Sequence, residues 1–328
     1  MIRDVLLKYM RTLVKFVLIL YLFQFIVDCS ESTEPDQEQD NTDSFAVVGY
    51  WPEWELEQVQ ITVGEQLTDL LLFSIEPSDD GSLQTDRITF QMIAKSIQIQ
   101  NTYKLRTMIC VGGWDRSSGF SAMALDDQKR NSFIANLYAY CSNNAFSGVD
   151  FDWEFPSTQS ERNAYVKLIT ETAALFHASG LIVTMALGSG QQLAIQALDS
   201  LDRIHLMSYD HSGRHSTYEQ AVNDITQLMG RGVAKEKIVL GVPFYGRKIT
   251  DSGSEISYRD IVETYHPAAD TDEAGGYYFN GIATIKSKTR LALDMGLNGI
   301  MIWEIGQDAA GDESLLKTIG DAIKEDTN

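Results

Sequence analysis

From Phe45 onward the chain alternates short apolar runs with amphipathic stretches of helical period, eight times over. Runs rich in Val, Ile, Leu and Met fall near 45–50, 69–75, 105–111, 146–153, 181–187, 203–208, 237–242 and 299–304. They are apolar through most of their length, as strands covered on both faces should be. Between them the spacing predicts helices such as 86–101, 126–143, 160–178, 218–229 and 284–295. The stretch 126–143 sets Phe133, Leu137, Tyr140 and Cys141 at helical spacing, with Asp126 and Asp127 as cap and first-turn acids. Strands that alternate with helices imply a parallel sheet. Eight such units closing on themselves give a (β/α)8 barrel, an α/β fold of one domain over 45–328; a doubly wound open sheet is the alternative. With 328 residues, 44% of them hydrophobic, the chain can fill one such core.

All five tryptophans lie at or just past the C-terminal end of an expected strand. Trp51 and Trp54 follow the first, Trp114 the third, Trp153 lies in the fourth and Trp303 in the eighth. A barrel gathers those ends on one face, where barrel active sites lie. Rings collected there either plug the mouth or stack on the apolar faces of sugars. At least two are expected to stack.

The fourth strand reads Gly148-Val149-Asp150-Phe151-Asp152-Trp153-Glu154. Strand alternation puts Asp150, Asp152 and Glu154 on one face, ~6.6 Å apart along the chain, and Phe151 and Trp153 on the other. The apolar face meets the helices, so the acids point into the barrel. Like charges in a desolvated interior raise one another's pKa. Glu154, the outermost, is therefore expected to hold a proton at neutral pH and to deliver it to a leaving group.

These residues resemble glycoside hydrolase family 18, the chitinases and their relatives. GVDFDWEFP, Gly148 to Pro156, is similar to that family's D-x-D-x-E signature. Four further segments resemble family motifs in the same order: Ile109 to Trp114, Met207-Ser208-Tyr209-Asp210, Gly241 to Arg247 (GVPFYGR) and Gly299 to Asp308 (GIMIWEIGQD). The resemblance implies a retaining glycosidase whose nucleophile is the substrate's own 2-acetamido group. Glu154 would protonate the glycosidic oxygen and Asp152 would orient the acetamido nitrogen. Asp150 would tune Asp152. Tyr209 would donate to the acetamido oxygen, Asp210 would bind the distorted sugar and Trp303 would form its floor. Tyr50, Trp51, Gly113, Trp114, Met207 and Arg247 are the other substrate-binding positions it implies. No metal or organic cofactor is implied. The partner would be a chain containing N-acetylglucosamine: chitin or chito-oligosaccharides, with N-glycan chitobiose cores, peptidoglycan or a non-catalytic lectin role as alternatives.

Two positions depart from the family pattern. Ser147 stands where Asp is usual, and Cys110 replaces a serine, which weakens the expected support for Asp150 because a thiol donates poorly. The interval from Arg247 to Gly299 is too short for the α+β lobe that many members insert. An open cleft lacking that wall is expected, unless residues 250–276 cover it in part.

The formal net charge of −20 argues against nucleic acid and anionic membranes as partners. Among Cys29, Cys110 and Cys141 no metal-ligand spacing appears, and the last two read as buried thiols. Residues 1–28 read as a signal peptide: Arg3, Lys8, Arg11 and Lys15 precede an apolar run from Phe16 to Val27, shorter than the ~20 residues that span a bilayer. Cys29 directly after it resembles the lipid-modified cysteine of bacterial lipoproteins, although Asp28 stands where that pattern has a small residue. Residues 29–44 are acidic and free of large apolar side chains, and read as an extended tether. Their composition resembles the surface-export signal of Bacteroidetes lipoproteins. An exported monomer is expected, attached through Cys29 to an outer membrane or cell surface, or else secreted.

Overall fold

The computed structural model describes residues 45–326, so the expectations for 1–28, 29–44 and Cys29 lie outside the described residues. Strands β1 (Ala46–Pro52), β2 (Asp69–Pro77), β3 (Arg106–Gly112), β4 (Gly148–Asp152), β5 (Ile182–Gly188), β6 (Arg203–Met207), β7 (Ile238–Pro243) and β8 (Gly299–Trp303) pair in parallel in chain order. β1 pairs with both neighbours, Ala46 opposite Gly299 and Val48 opposite Asp69, which closes the barrel. Each expected strand is present, with ends shifted by a few residues at most.

Helices α1 (Phe90–Tyr103), α2 (Ser118–Ala124), α3 (Asp127–Asn143), α4 (Gln159–His177), α5 (Ile195–Ser200), α6 (Tyr218–Gly230), α7 (Tyr258–Tyr265), α8 (Ile282–Met295) and α9 (Leu315–Asp326) connect or follow the strands. Their starts are written in the sequence. Asp126 caps α3 by accepting from the amides of Gln128 and Lys129, and Thr158 with Glu161 forms a capping box on α4. Thr217 and Gln220 do the same on α6.

The period of two divides the strand residues into two cores. Val47, Leu70, Leu72, Ile109, Val111, Val149, Phe151 and their equivalents face the helices. Val48, Tyr50, Leu71, Phe73, Met108, Cys110, Val239 and Met301 fill the barrel interior. Cys110 and Cys141 are buried free thiols.

The segment after β7 follows the expectation of no inserted lobe, with partial cover from residues 250–276. No separate lobe is inserted, but strands Tyr245–Lys248, Asp251–Ser257, Glu273–Ala274 and Tyr277–Tyr278 form a small antiparallel sheet. Tyr245, Arg247, Gly253 and Glu255 from this sheet border the cleft.

Candidate active site

The acids of β4 point into the barrel mouth. Asp150 and Asp152 are both buried. Asp150 is fully partnered: Tyr50 Oη donates to Oδ2 at 2.7 Å, Thr184 Oγ1 donates to Oδ1 at 2.6 Å, and His205 Nδ1 lies 3.1 Å from Oδ1. Thr184 is the register partner of Asp150 on β5, so strand pairing sets that contact. Cys110 is its register partner on β3. Besides Cys110, three other groups therefore surround this carboxylate.

Asp152 has fewer partners. Its Oδ1 is buried with no hydrogen-bond partner in the protein. Burial first, then the charges of Glu154 and Asp150, push its carboxyl well above the usual range. A buried acceptor left in this condition is suited to a donor brought by a ligand.

Glu154 lies just past the strand, where the loop after β3 holds it. Its amide donates to Ser117 Oγ at 3.0 Å. Burial raises its carboxyl, the charges of Asp210 and Asp115 raise it further, and the backbone N–H of Trp114 opposes them; the result is about 7. Gly112 and Gly113 let this loop turn, with φ of 97° and 107°. A Cβ on Gly113 would sit 2.3 Å from the Phe73 ring, while its amide donates to Asp152 O at 2.6 Å. Gly113 is therefore placed for backbone geometry and does not line the cleft, contrary to its expected substrate contact.

Tyr209 and Asp210 follow β6. A Cβ on Gly241 of β7 would come within 3.0 Å of the Tyr209 ring, so that glycine leaves room for it. Burial, then Tyr245, Asp152, Asp210 and Glu154, hold the Tyr209 hydroxyl protonated, fit to donate. Burial alone would raise Asp210, but His215, Arg247 and Tyr245 outweigh it and bring it to about 2. Tyr245 Oη donates to Oδ1, and Arg247 binds both carboxylate oxygens. Arg247 also pairs with Glu255 at 2.7 Å.

These groups open into a cleft of about 1660 Å³. Tyr50, Trp54, Trp114, Met207, Arg247 and Trp303 line it together with Asp152, Glu154, Tyr209 and Asp210. Trp303 meets Phe73 edge to face at 4.6 Å. Arg116 lies 5.3 Å over Trp54 and is held by Glu53. Trp114 is 68% exposed, a free platform at the rim.

Trp51 also departs from its expected substrate contact. It is fully buried on the helix side of β1, donating Nε1 to Glu55 O, and it does not reach the cleft. Trp153 likewise faces outward, stacked on Phe120 at 5.0 Å. Strand parity identifies both: each adjoins an inward residue, Tyr50 or Asp152, and so must point out. Sequence reasoning missed His205, Thr184, Tyr245 and Phe73. The same parity marks His205 as inward, two residues before Met207, but nothing local names Asp150 as its partner.

The model of the family described as glycosyl hydrolases family 18 matches residues 46–308. Probable chitinase 2 of Drosophila melanogaster is 23% identical over 334 residues, covering 81% of this chain and 68% of its own length. Against probable chitinase 10 of the same fly the identity is 22%, over 67% of this chain and only 13% of that protein. Among solved structures, the GH18 chitinase ChiB from the chitin utilization locus of Flavobacterium johnsoniae superposes with a TM-score of 0.77 at 25% identity, covering 86% of this chain and 94% of that one.

Proposed function

Because the chain belongs to glycosyl hydrolase family 18 and is by family a chitinase-like glycosidase, we propose that it cleaves β-1,4-linked N-acetylglucosamine chains with retention, by substrate-assisted catalysis. One observation carries this reading. Asp152 presents a buried, unpartnered Oδ1 beside Glu154, whose carboxyl titrates at about 7, in a cleft that Tyr209 also lines.

Glu154 transfers its proton to the glycosidic oxygen as the bond to the anomeric carbon breaks. The acetamido carbonyl oxygen of the sugar on the glycone side attacks that carbon, forming a cyclic oxazolinium. Asp152 accepts a hydrogen bond from the acetamido N–H through its unpartnered Oδ1, which orients the group and stabilises the positive charge that develops on it. Tyr209 donates to the acetamido oxygen and holds it in line. The released chain leaves with the proton from Glu154. Glu154, now a carboxylate, takes a proton from water as the water oxygen attacks the anomeric carbon. The oxazolinium opens, the acetamide is restored, and the product keeps the β configuration. Asp210, kept anionic by Arg247 and Tyr245, suits the hydroxyls of the distorted sugar. Trp303 suits its apolar face.

Export, attachment through Cys29 and a monomeric state belong to this proposal on the sequence pattern alone. The test is hydrolysis of N-acetylglucosamine tetramer and hexamer beside glucose oligomers of equal length and a high-mannose glycopeptide, with the product anomer followed by NMR. Cleavage of the N-acetylglucosamine oligomers alone, with β product first, supports the proposal. Cleavage of glucose oligomers, an α product, or preference for the glycopeptide rejects it.

A further inference from the structure

Lys288 of α8 takes no part in the reaction above, yet it is fully buried. Its three ammonium hydrogens meet three neutral acceptors: Ser216 O at 2.8 Å, Ser216 Oγ at 2.7 Å and Asn280 Oδ1 at 2.8 Å. Asn280 Nδ2 donates to the same Ser216 carbonyl at 2.7 Å. Burial pushes the lysine down to about 7. A cation kept in such a place without a directly bonded carboxylate is unfavourable against an apolar side chain of like volume. Two of its hydrogen bonds go to Ser216 and the third to Asn280, which itself binds Ser216.

What it holds is the neck of a loop. Ser216 Oγ donates to Ser208 O at 2.8 Å, and the His211 amide donates to His215 O at 3.1 Å. These bonds close the connection between β6 and α6 on itself, and Tyr209 and Asp210 lie within it. The other side of the neck is fixed to α6: Ser208 Oγ donates to Asp224 Oδ2 at 2.6 Å, and His211 Nε2 lies 2.9 Å from the same oxygen. His215, beside Ser216, is wholly buried, with Nδ1 3.6 Å from Asp210 Oδ1. Asp210 itself has φ of 63°, a left-handed conformation that persists when the surroundings over-determine it.

We propose that Lys288 is a positioning residue for the glycosidase reaction: by clamping Ser216 it fixes the loop that aims Tyr209 and Asp210 at the sugar. This rests on the proposed function for the identity of the sugar, and not for the clamp. Tyr209 and Asp210 act on the distorted sugar and the oxazolinium. A displaced loop therefore lowers turnover more than it weakens binding.

The test uses the full chain with Lys288→Met and, separately, Ser216→Ala, which deletes the Oγ bridge and leaves the carbonyl. Each is assayed on N-acetylglucosamine oligomers, and hydrogen exchange is followed over residues 208–217. Lys288→Met is expected to lower kcat by about tenfold, and Ser216→Ala by about threefold, with KM moving less than either. Exchange across 208–217 should quicken in both. If Lys288→Met does not fold, Ser216→Ala decides alone. A kcat within twofold of wild type, whatever the loss in melting temperature, overturns the inference, and so does unchanged exchange. If wild type does not cleave the oligomers, the substrate reading fails, and the exchange measurement still decides the clamp.

Discussion

Tyr50 and Asp150 lie 100 residues apart in sequence, and the tyrosine hydroxyl donates to Asp150 Oδ2 at 2.7 Å. With Thr184 Oγ1 donating to the other oxygen and His205 Nδ1 lying 3.1 Å from it, Asp150 is held by groups from three strands. It is thereby fixed beneath Asp152, whose raised pKa depends in part on its charge. Hydrogen bonds to a charged group are worth roughly 1.5–3 kcal/mol, so Tyr50→Phe is expected to lower kcat ~10–100-fold. Steady-state kinetics on an N-acetylglucosamine oligomer checks this. A kcat within threefold of wild type would show that Asp150 needs no anchor from β1.

The pH profile should carry the mark of Glu154. The acid must hold its proton to act, and its carboxyl titrates at about 7. Activity is therefore expected on the acid side of that value, with kcat/KM falling as pH rises through it. The charge of Asp115 helps to raise Glu154. Asp115→Asn keeps a residue tolerated at φ 62° and removes that repulsion, so the alkaline limb should move to lower pH. A limb that stays in place, or moves up, contradicts the electrostatic account.

Glu304, directly after Trp303, gives a separate prediction about stability. It is fully buried, and Oε2 accepts from Gly306 N at 2.7 Å. Burial, then the charge of Glu55, raise it to about 8. Its folded pKa exceeds its unfolded one, so its contribution is fully present below the unfolded value of roughly 4.3 and is lost as pH rises through about 8. Glu304→Gln removes this dependence. Between pH 5 and 8 the melting temperature of the variant should fall less steeply than that of wild type. Parallel curves would show that Glu304 ionises as freely in the fold as in the unfolded chain.

The sheet after β7 bears on how chains enter. Tyr245, Arg247, Gly253 and Glu255 of that sheet border the cleft, and the Trp54 and Trp114 platforms are exposed. A groove open along its rim accepts a chain in its middle. We therefore expect internal, non-processive cleavage of a soluble, partly acetylated chitosan: viscosity drops early and long products appear together. A slow drop with disaccharide dominant from the first minutes contradicts it.

The barrel was legible because parallel strands buried on both faces must be apolar throughout, and their runs stand out from the amphipathic helices. The acids of β4 were legible for the same reason of period: Asp150, Asp152 and Glu154 alternate with Phe151 and Trp153. The same rule, not carried to β1, would have turned Trp51 outward. The small sheet after β7 left no trace in the pattern. Two of its strands are two residues long, and the longest, DSGSEIS, has one large apolar residue. His205 and Lys288 were hidden for another reason. His205 lies between Ile204 and Leu206 in a strand, Lys288 among the polar residues KSKTR of a helix, and the meaning of each lies in partners 55 and 72 residues away.

The central claim is that Glu154 supplies the proton that breaks the glycosidic bond. Glu154→Gln keeps the shape and removes the titrating proton. The direct measurement is turnover of an unactivated N-acetylglucosamine oligomer by this variant, with circular dichroism confirming the fold. The account predicts a loss of at least ~100-fold in kcat with the fold intact, the lower range for general acid catalysis. A folded variant that retains more than about a tenth of wild-type kcat would contradict it.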